Sequence, residues 1–174
     1  MLPGSGILCS ENYFRWEAVV SLRRVGSSKL PVVNKSAIVP YTTEQMFDLV
    51  IDVLSYPEFL PWCSATRLLS RDENELCGEL EVSRIGVRQK FSTINRLYPF
   101  ERIDLSLREG PFKKLHGGWR FTPLGEAACK VELTLEFEFS GRLINAAFGK
   151  VFSHIANTMV GAFCKRANEV YRGD

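Results

Sequence analysis

Histidine is almost missing from this chain: His116 and His154 are the two among 174 residues. His116 is predicted on the outside and His154 has no obvious carboxylate partner, so acid–base catalysis built on imidazole has little to draw on. Five cysteines, at positions 9, 63, 77, 129 and 164, form no CxxC pair and no metal-ligand spacing. That removes zinc ribbons and dithiol redox motifs, and the odd number speaks for reduced thiols in a cytosolic protein, small buried groups more than nucleophiles. Long apolar runs are missing too. Glu11, Asn12, Arg15 and Glu17 break up the opening segment, which therefore reads as neither a secretory signal nor a membrane span. Without such a signal the glycosylation sequon Asn34-Lys35-Ser36 carries no weight. There is no internal repeat or low-complexity tract, and no catalysis, metal or required cofactor is expected.

What is there is an ordinary globular composition, 45% hydrophobic and 24% charged, enough for one domain with a sizeable core. The formal charge of +2 comes from the start of the chain: residues 1–31 hold four Lys/Arg and two Asp/Glu, leaving eighteen of each for residues 32–174. Residues 1–31 read as an N-terminal extension of unassigned role, and residues 32–174 as the domain. Within the domain the charges are segregated. Residues 84–120 carry nine Lys/Arg and three Asp/Glu, residues 72–81 carry five acids directly after Arg71, and Glu132, Glu136 and Glu138 make a second acidic strip. Either these are stabilising cross-strand pairs on a wet sheet face, or they form a patch that meets a polyanion.

Residues 32–39 read as a strand ended by Pro40, and Thr42 or Thr43 caps a helix to about Asp52 with Met46, Phe47, Leu49, Val50 and Val53 buried. Pro57 and Pro61 then leave room for a single helical turn. After Cys63 the pattern has period two, with turn signals at Asp72-Glu73-Asn74, Gly86, Tyr98-Pro99, Gly110-Pro111 and Gly125, which predicts six consecutive strands. Ile103, Leu105 and Leu107 alternate with charged or polar neighbours, as do Val131, Leu133, Leu135, Phe137 and Phe139, the mark of an antiparallel sheet with one dry face. From Arg142 to Tyr171 the spacing is helical again, with Ile144, Phe148, Val151, Ile155, Met159 and Phe163 recurring every three or four residues. Strand, helix, helical turn, six strands and one long helix is the order of an α+β helix-grip fold, a curved antiparallel sheet wrapped around its C-terminal helix.

Residues 110–121, GPFKKLHGGWRF, put Leu115, Gly117, Trp119 and Phe121 on one side of a strand and Lys114, His116, Gly118 and Arg120 on the other. A sheet closed over a helix commonly leaves an apolar cavity. Its candidate lining is Phe59, Leu60, Trp62, Phe91, Leu105, Leu107, Trp119, Phe121, Phe137, Phe148, Phe152 and Met159, any single one of which is more readily plain core than a ligand contact. Gln89, Thr93 and Asn95 share the face of Phe91 if that strand is regular, and are candidate contacts for a polar head; Ile94 breaks the alternation, and a bulge there would turn them away.

In this order of elements, YPEFLPWC at 56–63, GPFKKLHGGWRF at 110–121, Phe137-Glu138-Phe139 and AFCKRA at 162–167 resemble the coenzyme Q-binding family, within the START-like, polyketide cyclase-like superfamily, and especially its bacterial ribosome-association toxin branch. The resemblance spans about Asn34 to Tyr171 and leaves residues 1–31 without a counterpart. It implies two functions. Mitochondrial relatives imply non-enzymatic binding of a polyprenyl quinone, ubiquinone, in the cavity in support of respiration. The toxin branch implies binding to the large ribosomal subunit, which blocks subunit association and brings the question of an antitoxin partner. RNA contact needs cations on one exposed face, and Arg88, Lys90, Arg102, Arg108, Lys114 and Arg120 are the candidates. The neutral domain, the acidic strips and the lack of interleaved aromatics weigh against it, and no DNA partner is expected. A ubiquinone-like or other hydrophobic ligand is thus the first expectation and the large ribosomal subunit the second. A quinone binder must also approach a bilayer, here transiently through the Tyr56–Trp62 corner or the Gly110–Lys114 turn, which implies a cytoplasmic protein peripheral to the inner membrane.

Overall fold

The first strand of the sheet and the last lie side by side. In the computed structural model, which describes residues 31–172, β1 (Val32–Val39) leads into α1 (Thr43–Ile51), a 3-10 turn (Val53–Ser55) and α2 (Tyr56–Phe59). These short helices carry the chain to the far edge. From there β2 (Cys63–Arg71), β3 (Glu75–Arg84), β4 (Val87–Tyr98), β5 (Arg102–Glu109), β6 (Phe112–Pro123) and β7 (Cys129–Phe139) meander back, and α3 (Arg142–Tyr171) ends the fold. The order is β1-β7-β6-β5-β4-β3-β2, antiparallel throughout. The helix-grip fold and the six strands after Cys63 are therefore as the alternation predicts; the extension, apart from Pro31, lies outside the described residues.

Local chemistry explains the boundaries. Thr42 Oγ1 accepts from the Gln45 backbone N–H at 3.2 Å while Gln45 Oε1 accepts from the Thr42 N–H at 2.9 Å, a reciprocal cap on α1 contributing about 1 kcal/mol. Pro57 sits in the first turn of α2, where its missing N–H costs no hydrogen bond. At thirty residues, α3 is about 45 Å long. Its buried row is Phe148, Phe152, Ile155, Ala156, Val160, Phe163, Cys164 and Ala167. Val151 and Met159, expected in that row, lie half-buried at its margin. The far end of α3 is tied back to the β1–α1 loop and to α1: Tyr41 donates to Asn168 Oδ1 at 2.6 Å, and Tyr171 donates to the Gln45 carbonyl at 3.0 Å.

Two backbone irregularities interrupt the regular sheet. β4 pairs residue for residue with β3, whereas on its other side Ser92 faces Glu109 and Thr93 faces Leu107, so Arg108 is an extra residue in β5. The bulge is thus on the partner strand and not at Ile94. Between β3 and β4 the loop is two residues long, Ile85 and Gly86, both at positive φ (51° and 74°). Such tight turns favour Asn-Gly or Asp-Gly, and a β-branched residue in the left-handed region costs roughly 1–2 kcal/mol.

Candidate ligand-binding cavity

Aromatic rings collect in two groups along α3. Phe91, Phe112, Phe137, Phe139, Phe148 and Phe152 pack toward its start, Phe112 and Phe152 with centroids 4.8 Å apart. Tyr56, Phe59, Trp119 and Phe163 pack further along, Trp119 edge-on to Phe163 at 5.1 Å. Between the groups the inner face of the sheet, α1, the 3-10 turn and α3 enclose a cavity of about 70 Å³. Gly78 helps to keep it open, because the nearest side-chain atoms to where a Cβ would stand are 3.6 Å (Leu76) and 3.8 Å (Val53) away.

Of the twelve side chains proposed from sequence, Trp62, Phe91, Leu105, Trp119, Phe152 and Met159 line this space. The other six point inward but elsewhere. Phe121 packs on Phe47 of α1 at 5.8 Å, Phe137 and Phe148 belong to the first aromatic group, Phe59 stacks edge-on to Tyr56, and Leu60 and Leu107 fill the core beside the cavity. Sequence reasoning read Val50, Val53, Ile103, Leu115, Leu133, Leu135 and Ile155 as inward-facing without placing them in the lining, and did not name Leu76 and Leu80; together they complete much of the wall. Their inward parity was the available signal; their depth along α3 was not. Ile51, Asn95, Leu105 and Met159 keep partial exposure and mark where the cavity nears solvent. At about 70 Å³ the space is well below the roughly 300–1,000 Å³ of a small-molecule site, so a ring-sized guest requires α1 or α3 to move away from the sheet.

Three polar side chains reach the wall, Tyr56, Thr93 and Asn95. Tyr56 donates to the Val50 carbonyl at 2.6 Å, and burial holds its phenol far above the ordinary tyrosine range. Asn95 Nδ2 donates both to the Leu76 carbonyl at 3.2 Å and to Thr93 Oγ1 at 3.1 Å, which commits both amide protons. The acceptor within reach of the Thr93 hydroxyl is Asn95 Oδ1 at 3.5 Å, the outer limit of a hydrogen bond. Thr93 is 3% exposed. The wall therefore presents one underused donor beside one underused acceptor. Gln89, expected with them, is not part of the lining.

No nucleophile is poised here. Burial pushes the Cys63, Cys129 and Cys164 thiols up to about 11, which keeps them protonated at neutral pH. His116 is on the outer face with Nε2 3.2 Å from Glu136, and His154 is on the exposed side of α3.

The outer face of the sheet carries all six proposed basic residues, interleaved with acids. Arg88 and Lys90 share Glu81 at 3.6 Å, Arg102 meets Glu101 and Asp104, and Lys114 meets Glu136 at 3.5 Å. Arg120 stands in register with Glu132, and Arg108 donates to the buried Cys77 Sγ at 3.1 Å. Arg88, Lys90 and Lys114 are thus in cross-strand ion pairs, while Arg102 pairs within its own turn and strand. The Ser64 hydroxyl first, then Arg88 and Lys90, hold the Glu81 carboxyl below the ordinary glutamate range. A lowered folded-state pKa means that the stabilisation is present above the unfolded value of about 4.3 and is lost as pH falls through the folded one. Glu81→Gln is accordingly expected to flatten the acid limb of a stability–pH curve and leave the alkaline limb unchanged; an unaltered acid limb in urea titrations would remove Glu81 from the account.

The two surfaces expected to touch a membrane turn their large apolar side chains inward. Tyr56, Leu60 and Trp62 are 8%, 0% and 2% exposed, and Phe112 in the other turn is 5% exposed, because the α2 corner and the β5–β6 turn both close over core rings. Among the described residues no helix is long and apolar enough to cross a membrane.

Residues 39–164 match the family described as polyketide cyclase / dehydrase and lipid transport. The chain is 52% identical over 139 residues to the ribosome association toxin RatA of Vibrio cholerae, covering 80% of this chain and 96% of that protein. It is 29% identical to the mitochondrial coenzyme Q-binding protein COQ10 homolog B of Xenopus laevis, over 84% of this chain and 62% of that one. Among solved structures, the 18 kDa protein CC1736 of Caulobacter crescentus aligns with a TM-score of 0.63 at 35% identity, covering 84% of this chain and 100% of that one. The Zhui aromatase/cyclase of Streptomyces sp. R1128 aligns with a TM-score of 0.70 at 18% identity, covering 83% and 99%, a likeness of fold.

Proposed function

The chain belongs to the polyketide cyclase / dehydrase and lipid transport family, and from that premise we propose that it binds a hydrophobic ligand with a hydrogen-bonding head, a polyprenyl quinone of the ubiquinone type, without transforming it. The observation that carries this reading is the Thr93–Asn95 pair standing in an otherwise apolar wall. A quinone oxygen placed there accepts the Thr93 proton, and in the reduced quinol the same oxygen also donates to Asn95 Oδ1. The isoprenoid tail lies along the aliphatic row of the sheet. Its burial, about 0.8 kcal/mol per methylene, supplies the free energy to part α3 from the sheet. Entry is at the half-exposed margin of Ile51, Asn95, Leu105 and Met159. The buried, protonated thiols and the outward histidines support binding without catalysis.

Thr93→Val keeps the shape and removes the donor. Titrated with a short-chain ubiquinone and read by quenching of Trp62 and Trp119, which line the cavity, this variant is expected to bind about tenfold more weakly, the loss of one hydrogen bond. Its melting temperature should fall by no more than a few degrees, since Asn95 Nδ2 loses Thr93 Oγ1 as an acceptor but the half-exposed amide can turn to water. Equal quenching curves for both proteins would remove Thr93 as the head contact, and no quenching in the parent would remove the quinone.

Association with the large ribosomal subunit is a second reading, favoured by the 52% identity to a protein named for ribosome association, across 96% of its length. The outer basic residues are its candidate surface, although Arg88, Lys90, Arg102 and Lys114 already have carboxylate partners.

A further inference from the structure

With the α2 corner and the β5–β6 turn closed, the large apolar side chains most exposed among the described residues are Leu143, at 87%, and Ile85, at 83%. They are 58 positions apart in sequence and at the same end of the molecule. Because the sheet is antiparallel throughout, the β3–β4 hairpin, the β5–β6 turn and the β7–α3 junction all fall at one end of it. Packing agrees: the Phe91 and Phe112 rings are 5.5 Å apart, and the Ser140 N–H donates to the Pro111 carbonyl at 3.0 Å. Ile85 lies beyond Phe91 at the hairpin tip, and Leu143 is the second residue of α3.

A single exposed aliphatic residue is ordinary. Here each of the two follows an arginine in the chain, the half-buried Arg84 before Ile85 and the exposed Arg142 before Leu143, so each tip carries one cation next to its apolar residue in sequence. Folding does not ask for Ile85 either. Its φ of 51° is one that asparagine or glycine adopts more readily, and its side chain packs on almost nothing.

We propose that this end of the sheet docks on an anionic lipid bilayer. Ile85 and Leu143 enter the interfacial zone while Arg84 and Arg142 meet lipid phosphates, the arrangement by which peripheral proteins combine apolar insertion with charge attraction. Docking there sets the start of α3 against the bilayer. The surface stands apart from the cavity and from the lattice of paired charges on the outer face, so it does not depend on which ligand the cavity takes.

The test uses the full 174-residue chain, sedimented with phosphatidylcholine vesicles with or without about one third phosphatidylglycerol, across a salt series. Binding is expected with phosphatidylglycerol only, falling with salt. Ile85→Asn and Leu143→Ser should each weaken it about tenfold. Ile85→Asn is the sharper variant, because asparagine suits the turn: the protein should melt no lower than the parent while losing vesicle affinity. The proposal is overturned if the parent ignores anionic vesicles, or if both variants bind them as the parent does. It is also overturned if Ile85→Asn loses cosedimentation with ribosomes and keeps vesicle binding, which would make the tip a macromolecular contact.

Discussion

Gly118→Ala is expected to yield protein that does not reach the native fold, and Gly117→Ala the same. In β6 these two residues have φ of 154° and 143°. A Cβ on Gly117 would stand 2.0 Å from the Thr134 carbonyl oxygen in β7, and one on Gly118 would stand 2.0 Å from the Ile103 carbonyl oxygen in β5. Both obstacles are backbone atoms of strands paired to β6 on either side, so no side chain can swing away to relieve them. In each variant, strained φ and a clash with the backbone of one paired strand together exceed about 5 kcal/mol, the upper end of single-residue effects and a large share of the roughly 5–15 kcal/mol that holds a domain together. Gly86→Ala is the control: its φ is 74° but nothing lies within 4 Å of the added carbon, so the cost is about 1 kcal/mol. Circular dichroism and thermal melts of the three variants decide it, and a Gly118→Ala protein with a near-parental melting temperature contradicts the argument. The glycines matter for the site because they let β6 lie close between its neighbours, and Trp119, the next residue, is then held against the cavity.

These two glycines also show where a sequence stops being legible. Period two placed Gly117 with Leu115 and Trp119 on the dry face, and the β-strand follows that parity. What parity cannot report is how close the flanking strands come, since that depends on registers such as Gly118 opposite Thr134 and Asp104, set by residues far away in the chain. The cavity has the same character. Leu105 and Leu107, or Trp119 and Phe121, are equivalent by alternation, yet one of each pair lines the space and the other does not, because α3 crosses the sheet at a place chosen by the two aromatic groups. The irregularity expected at Ile94 is absent: β4 is regular there, the extra residue is Arg108 in β5, and Thr93 and Asn95 keep facing Phe91's side. Local signals fared better. The Thr42 cap, the turn between two prolines and the limits of α3 need only neighbours in sequence, and each is where the residues put it.

Trp119→Ala and the pair Lys114→Glu with Arg120→Glu should separate the two proposed functions. Trp119 is 5% exposed, lines the cavity and packs edge-on against Phe163 at 5.1 Å. Truncation to alanine costs about 3–5 kcal/mol of stability and widens the cavity while removing a flat wall from it, so quinone affinity should fall more than tenfold in the fraction that remains folded. Trp119→Phe keeps most of the wall and tests that loss of stability alone is not the cause. The charge reversal acts on exposed side chains, one of them 3.5 Å from Glu136 and the other in register with Glu132. Broken surface pairs of this kind cost at most about 1 kcal/mol each, and quinone titration should be unchanged. If the outer face binds ribosomal RNA, the same reversal replaces two cations with anions, so cosedimentation with large subunits should weaken and its salt dependence should become shallower. Loss of quinone binding in the first variant only assigns function to the cavity; loss of ribosome binding in the second only assigns it to the outer face. Equal loss of either activity in both variants contradicts the division, because nothing connects Trp119 on the dry face with Lys114 and Arg120 on the wet one except the strand they share.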